Sequence, residues 1–569
     1  MNYFDIQMYI GIKLLFILFI AVSIYLIYKK KNPAYLLVLA GGVSATSYFL
    51  LVNNLQLSFW GLQGDEITIA AMYNTFAHVS LWSDFAYHNL PAFYPPAFFW
   101  AFGIIGRILN WNGIMIAKLA SFSFLLIFPI GSYYFQKYLL RNESADNKTL
   151  GMVFALLSPL LIITIIDKDI LIGKPYEVIA ATATIFWYSS LYLKISQGKW
   201  NGKQAFVHGI IAGIIFMIYY LWLIFAAIAL FSMGIMENQE TRIKYFLSLF
   251  KTMLITILVS LPFILPLSIS YYKNGIENWQ TAFFTPNGLN VWLPMFQLNS
   301  INSIILLFGF TTLVYYRKRI LIKQLLYLFI ITFFWWTVAM ISLLIFKVPF
   351  QEFRGFYILS PTILVIAAAY GIERVWHHFN INNNKNIFFT IAVIGVVYFA
   401  SQSVFGFFVD DPIVKMRRIE SKAPKEEIVN LVNFLKKTPE SGSKLTLQTI
   451  PQILAFVPMN HLIYFNQHNN HPASIFSKRY QYVQLLANSK SPEELYENIN
   501  KCPYGCLKQF IFFGDEKNYY LYFHMDKLID GIEEKEIKIK KELFSEAYFK
   551  KIYDKEGYTV INIRERLTY

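Results

Sequence analysis

Two adjacent carboxylates, Asp65 and Glu66, stand in "GLQGDEITIA" of a 569-residue chain that is 56% hydrophobic. Asp84, His88 and Tyr94 follow, the last two inside the Pro-aromatic knot "HNLPAFYPPAFFW", with no Lys or Arg from residue 54 up to Arg107. A carboxylate with no local cation to neutralise it can accept a proton from a hydroxyl nucleophile, the work of a general base. A second group lies in "IIDKDILIGKPYEVIAA": Asp167, Lys168, Asp169, Lys174, Tyr176 and Glu177. A third, "FKVPFQEFRGFYILSP", holds Lys347, Glu352 and Arg354. Arg354 suits a bidentate phosphate contact; it also suits a snorkelling interfacial anchor, or an ion pair with Glu352. Any one of the acids could equally be a solvated loop residue. Charged groups at the mouths of apolar helices are costly, however, and tend to be paired or functional.

The elements that must hold these residues are read from hydropathy. Charged residues make up 15% of the chain, where a soluble domain carries about a quarter. Apolar runs near or above ~18 residues recur through position 409, giving about twelve expected spans. The first run, "IGIKLLFILFIAVSIYLIY", ends in Lys29 to Lys31 and is followed by no small-x-small cleavage pattern. It is expected to be a retained anchor.

The net charge of +15 is concentrated in short loops between apolar spans, which matches the positive-inside rule and argues against a nucleic-acid partner. With those loops cytoplasmic, segments 54–112, 167–176, 272–300 and 347–355 face outward. The alternation closes only if 208–231 forms two short helices or a re-entrant hairpin, which is permissible where protein or a water-filled cavity covers its turn.

The expected domains are 1–409, a transmembrane domain with catalytic outer loops, and 410–569, an extracytoplasmic α/β domain. In the latter, "KLTLQT", "LIYFN", "QFIFFG" and "YTVINI" read as strands. "EEIVNLVNFLKK", "SKRYQYVQLLANS" and "SPEELYENINK" read as helices, the last with Ser491 as N-cap and Glu494 closing a capping box. "ITIAAMYNTFAHV", after the Asp65–Glu66 pair, reads as an amphipathic run folded onto the membrane surface.

Carboxylates plus Lys and Arg at one membrane surface suit transfer from a polyprenyl-phosphate sugar. Its lipid stays in the bilayer, a cation holds the phosphate leaving group, and a carboxylate deprotonates the acceptor hydroxyl. "GDE" in the first outer loop, then "HNLPAFYPPAFFWAFGIIGRI", "GKPYEVIAA" and the tail's "HPASIFSKRYQYVQLLANS" resemble the galactan arabinofuranosyltransferases of actinobacterial cell walls. That family belongs to the GT-C class of polyprenyl-phosphate-sugar glycosyltransferases. The likeness runs in order over most of the chain.

The resemblance implies a GT-C-like, α-helical polytopic enzyme of the plasma membrane, working in cell wall biogenesis. It would be an inverting transferase moving arabinofuranose or a related pentose to an envelope polysaccharide such as galactan. By position Asp65 is the base, with Glu66 the runner-up. Lys174 and Arg354 are expected on the donor phosphate, and Asp84, His88, Tyr94, Asp167, Asp169, Tyr176 and Glu177 on substrate. No cofactor is assigned, beyond a divalent cation that the carboxylates could hold. The chain departs from the family in its Lys-, Ile- and Asn-rich composition, which could mean a different sugar.

Two other classes fit less well: a transporter or flippase of lipid-linked sugars, and a non-catalytic envelope-assembly subunit. No inverted repeat is visible, and the acids gather at one surface. His377-His378 reads as a solvated cap, and "NQHNNHP" as a glycan contact or a polar turn. Cys502 and Cys506, the only two cysteines, read as a local bridge or free thiols; a metal there would need two more ligands.

Overall fold

The computed structural model describes residues 3–59, 61–62, 64–140, 152–277, 291, 293–347, 355–379, 385–438, 442–527 and 531–564. Among them, nine helices are long and apolar enough to cross a membrane, from Asp5–Tyr28 to Asn386–Asp410. Two shorter apolar helices, Val153–Ile165 and Ile301–Tyr315, bring the number to the twelve expected once the broken helix Gly202–Ile235 is counted as two, whereas a third, Ala97–Leu109, lies in the 54–112 segment expected outside the membrane. The chain is a multi-pass membrane protein.

Two compact units emerge. One comprises Met1–Asn54, Leu119–Leu261 and Leu289–Ile419; the other comprises Leu55–Lys118, Pro262–Gly288 and Glu420–Tyr569. The loop that carries Asp65 therefore belongs to the same unit as the tail.

In the first unit, Phe19 of the first span packs on Phe399 and Phe405 at ring distances of 5.3 and 5.1 Å. The Arg418 guanidinium meets Asp5 Oδ1 at 2.5 Å and donates to the Leu51 carbonyl at 3.2 Å. The start of the first span, the end of the second and the segment after the last thus lie at one end of the bundle. Span counting requires this parity.

Helix Gly202–Ile235 breaks at Tyr219, whose backbone is extended (φ −165°, ψ 98°). Gly209 and Gly213 lie against Ile255 and Val259, whereas Gly234 lies against Tyr245. The first half therefore runs parallel to the following helix, and the second half runs antiparallel to it. That is a helical hairpin, as the topology demanded. Its turn is covered by protein: the Tyr219 ring sits 6.0 Å from Tyr176, and Trp222 Nε1 donates to the Glu177 carbonyl at 3.1 Å.

In the second unit, the tail forms a seven-stranded mixed sheet. Its strands are β1 (Leu445–Leu447), β2 (Asn460–His461), β3 (Leu507–Gly514), β4 (Asn518–Lys527), β5 (Gly531–Lys540), β6 (Phe549–Lys555) and β7 (Tyr558–Ile563). β2, β1 and β3 are parallel, and β3 is then flanked by antiparallel β4 and β7. Phe510, Phe512, Tyr519, Leu521 and Phe523 turn to one face and pack with Val483, Leu486, Leu495 and Ile499 of helices Phe476–Ala487 and Pro492–Asn500. Period-2 alternation on the strands meets the apolar stripes of two helices, and this makes the core.

Three expected strands form, and "LIYFN" does not: it is loop bonded to the sheet through Leu462 N–H to the Thr446 carbonyl at 2.8 Å and through a bridge between Asn466 and His524. Ser491 caps its helix by accepting from Glu494 N–H at 3.2 Å, but the Glu494 carboxylate reaches back to Lys490 N–H instead of Ser491. Cys502 and Cys506 are free thiols.

Candidate active site

Asp65 and Glu66 open helix Asp65–His78. Gly64, its N-cap, has φ 52° and ψ −123°, a backbone region closed to residues with a Cβ. "GDE" is thus a turn-then-helix instruction: the glycine reverses the chain, and two carboxylates meet the positive end of the helix dipole. Both carboxylates are half-buried.

The rest of that helix departs from the expected surface-lying amphipath. Every residue from Ile67 to Ala77 is buried, including Thr68, Asn74 and Thr75. Protein covers all its faces. Gly113 makes this possible, since a Cβ there would lie 1.8 Å from the Ala70 carbonyl oxygen. At the other end Arg107 caps the helix, donating to the Phe76 and Ala77 carbonyls at 3.0 and 2.8 Å, which suits a cation at a helix C-terminus. The Pro-aromatic knot is the packing surface for the same helix. Tyr73 meets Phe99 at 5.0 Å, and Tyr94 meets Phe99 and Phe93 edge-on at 5.9 and 6.2 Å.

The tail segment "FNQHNNHPAS" packs on this helix. Asn469 Nδ2 lies 3.5 Å from Asp65 Oδ1 and 3.2 Å from Thr68 Oγ1, and Thr68 Oγ1 pairs with the buried Tyr464 hydroxyl at 3.3 Å. The Tyr87 hydroxyl donates to Asn470 Oδ1 at 2.5 Å and accepts Tyr464 N–H at 2.9 Å. His471 Nδ1 accepts from Ala473 N–H at 3.0 Å, so its Nε2 carries the proton and donates to the Pro91 carbonyl at 2.9 Å. Burial pulls this imidazole down to about 3, so it is neutral and structural. Glu277 adds a third segment: its carboxylate accepts from Ser477 N–H at 3.0 Å, capping helix Phe476–Ala487. The polar turn and the reach toward the Asp65 site are thus one feature.

Asp84 and His88 serve the loop itself. Asp84 is buried, and its Oδ1 accepts the amides of Ala86 and Tyr87 at 2.9 and 3.0 Å. Burial pushes its carboxyl up to about 7, against the lowering by those amides. Burial also pulls His88 down to about 4. Because the Asp84 pKa is raised on folding, its contribution to stability is complete below about pH 4 and is lost as pH rises through about 7. Asp84→Asn keeps the acceptor oxygen and removes the charge. It should therefore raise stability at pH 8 by an amount on the order of 1–3 kcal/mol, with little change at pH 4. Thermal unfolding of the detergent-purified protein at both pH values checks this; a lower midpoint at both would show that the ionised form is needed.

The segment 167–177 forms its own cluster in the first unit. Asp167 caps the short helix Lys168–Gly173 by accepting from Asp169 N–H at 2.7 Å. The Lys168 ammonium donates to the Thr164 and Ile166 carbonyls at 2.6 and 3.1 Å, and burial lowers it to about 8. Asp169 is raised to about 6 by partial burial and by Asp167.

Lys174 precedes Pro175, the first residue of helix Pro175–Ser196, and its Nζ lies 5.9 Å over the Tyr357 ring. Tyr357 belongs to a π-helical turn, Gly355–Leu359, a distortion frequent at functional sites. Tyr176 and Glu177 are buried at the same helix start. The cluster gathers Lys174, Tyr176 and Glu177 from one loop and Tyr357 from another. Glu352 and Arg354 lie outside the described residues, as do 278–290 and 292 of the 272–300 segment. Among the described residues no group of three or more His, Cys, Asp or Glu side chains is placed to hold a metal ion.

No family model matches the chain, and no curated protein matches it. Solved structures do. ArnT from Cupriavidus metallidurans, bound to undecaprenyl phosphate, aligns over 92% of this chain and 97% of its own at 11% identity, with a TM-score of 0.50. The arabinofuranosyltransferase AftD from Mycobacteria aligns over 92% of this chain but 40% of its own at 10% identity, with a TM-score of 0.47. At such identity the likeness to ArnT speaks for the fold, and the weaker match to AftD adds no argument. The chain is an α-helical, polytopic membrane protein of the GT-C fold, with a C-terminal α/β domain.

Proposed function

We propose that this chain is a membrane glycosyltransferase moving a sugar from a polyprenyl-phosphate donor to an envelope polysaccharide at the outer face of the plasma membrane. Arabinofuranose or a related pentose is the proposed sugar, and galactan the proposed acceptor. The observation that carries the reading is Asp65. It is a half-buried carboxylate opening a helix that is otherwise sealed in protein, tied to the tail through Asn469.

In this reading Asp65 takes the proton of the acceptor hydroxyl as it attacks the anomeric carbon, and inversion follows from that single displacement. Glu66 orients the acceptor. Lys174 and Arg354 hold the phosphate of the departing polyprenyl phosphate. The ligand seen in ArnT, undecaprenyl phosphate, is of the class that such a reaction would release.

Purified protein incubated with polyprenyl-phosphate pentoses and galactan should release polyprenyl phosphate and elongate the acceptor. A flippase of lipid-linked sugars draws support from the interrupted helix at Tyr219, a device common in transporters. Movement of donor across liposomes without release of polyprenyl phosphate would favour it. Within the transferase reading, Arg354→Lys keeps the charge and loses the fork. It should raise the donor KM about tenfold; an unchanged KM would remove Arg354 from the phosphate.

A further inference from the structure

The tail sheet has two faces, one filled by the core and the other covered only in part. Tyr519, Leu521 and Phe523 of β4 are buried in the core, whereas Tyr520, Tyr522 and His524 alternate to the other side. Direct pairing places Lys538 opposite Tyr520, Glu536 opposite Tyr522 and Glu534 opposite His524. Phe513 of β3 lies opposite Tyr520 and is 42% exposed. Elsewhere on this face helix Glu426–Lys437 packs through Phe434, 4.9 Å from Tyr553 of β6. The β4–β5 half carries an aromatic row, with the Tyr520 and Tyr522 rings near parallel (17°) and their centroids 6.2 Å apart.

The polar groups beside the rings are held in place. The Tyr520 hydroxyl donates to Asp515 at 2.5 Å, and Lys538 bonds Glu536 at 3.0 Å while lying 5.6 Å over the Tyr520 ring. Glu536 also hydrogen-bonds Tyr522. Beside the rings one cation, Lys538, faces Glu536, with Glu534 and Asp515 also at the row, so the row offers a polyanion no cationic surface. Fixed aromatic surface with neutralised donors and acceptors suits a ligand that has apolar C–H faces and many hydroxyls.

The row also leads somewhere. At its His524 end, β4 bonds the loop through His524 N–H to the Phe465 carbonyl and Gln467 N–H to the His524 carbonyl, both at 2.9 Å. Two residues on is Asn469, the partner of Asp65.

We propose that Tyr520, Tyr522 and Phe513 form a binding platform for a neutral polysaccharide, which holds a chain several sugars away from its reacting end. The proposal rests on the glycosyltransferase reading for the identity of the chain as acceptor, and its test is made by binding so that the two can fail separately. Full-length protein in detergent is titrated with soluble arabinogalactan, and with heparin as the polyanion, by isothermal calorimetry.

The wild type should bind arabinogalactan and not heparin. The double variant Tyr520→Ala, Tyr522→Ala should weaken binding roughly tenfold or more with an unchanged thermal midpoint. The double variant Tyr520→Phe, Tyr522→Phe keeps the rings and should bind within about threefold of wild type. Asp65→Asn should bind as wild type does, whatever its turnover. Absence of arabinogalactan binding, preference for heparin, or equal binding by the alanine double variant would each overturn the platform. Unchanged turnover in Asp65→Asn with arabinogalactan binding intact would overturn only the assignment of the base and leave the platform standing.

Discussion

Asp65→Asn is expected to cut turnover by ~10²-fold or more while leaving expression, thermal midpoint and donor binding close to wild type. The substitution is nearly isosteric, and its Oδ1 can still accept from Asn469 Nδ2, which lies 3.5 Å away. The helix start is set by Gly64 and by the buried run that follows, so neither depends on the charge. What is lost is the capacity to take a proton. Glu66→Gln should be milder, because neighbouring residues on a helix do not share a face. Steady-state release of polyprenyl phosphate measures both. Reversed effects would make Glu66 the base. Two active variants would send the chemistry elsewhere, with Asp169 the next candidate, since Asp167 is occupied as a helix cap.

The second large effect is expected at a residue that touches no substrate. Arg479 is buried, with Nε 2.7 Å from the Ser474 carbonyl and Nη1 2.5 Å from that of Leu462. Its guanidinium lies 4.8 Å from the Tyr87 ring centre and 4.3 Å from that of Tyr504. It therefore ties both ends of the 462–474 loop to the loop that follows Asp65. Arg479→Met strands two buried carbonyls and removes both cation–ring contacts, at a cost of about 3–5 kcal/mol. A lower thermal midpoint and early proteolysis in the tail should accompany loss of activity. Arg479→Lys should recover only part, because a point charge cannot span both carbonyls and both rings. An unchanged midpoint in the Met variant would show that the loop holds itself.

Hydropathy and charge by themselves determined that this chain crosses a membrane many times, and that 208–231 had to turn back. Burying backbone in lipid leaves few solutions, so long apolar runs and basic loops suffice. Local chemistry likewise fixed the start of helix Asp65–His78, the cap at Ser491 and the helix Glu426–Lys437, whose signals lie within a few residues. β5 was hidden because "GIEEKEIKIK" alternates charges with few apolar residues, and only pairing with β4 makes it a strand.

Tertiary structure decided the rest. No local pattern says that the helix after Asp65 is sealed on every face, because its Thr and Asn residues read as a solvated side until Leu454 and Tyr464 arrive from the tail. Nor could the sequence separate Asp84, whose carboxylate is spent on two backbone amides, from Asp65, which faces the tail's Asn469. A carboxylate is one residue type with two fates: Asp84 is held by amides two and three residues on, Asp65 faces a residue 404 positions away, and the folded chain alone tells them apart.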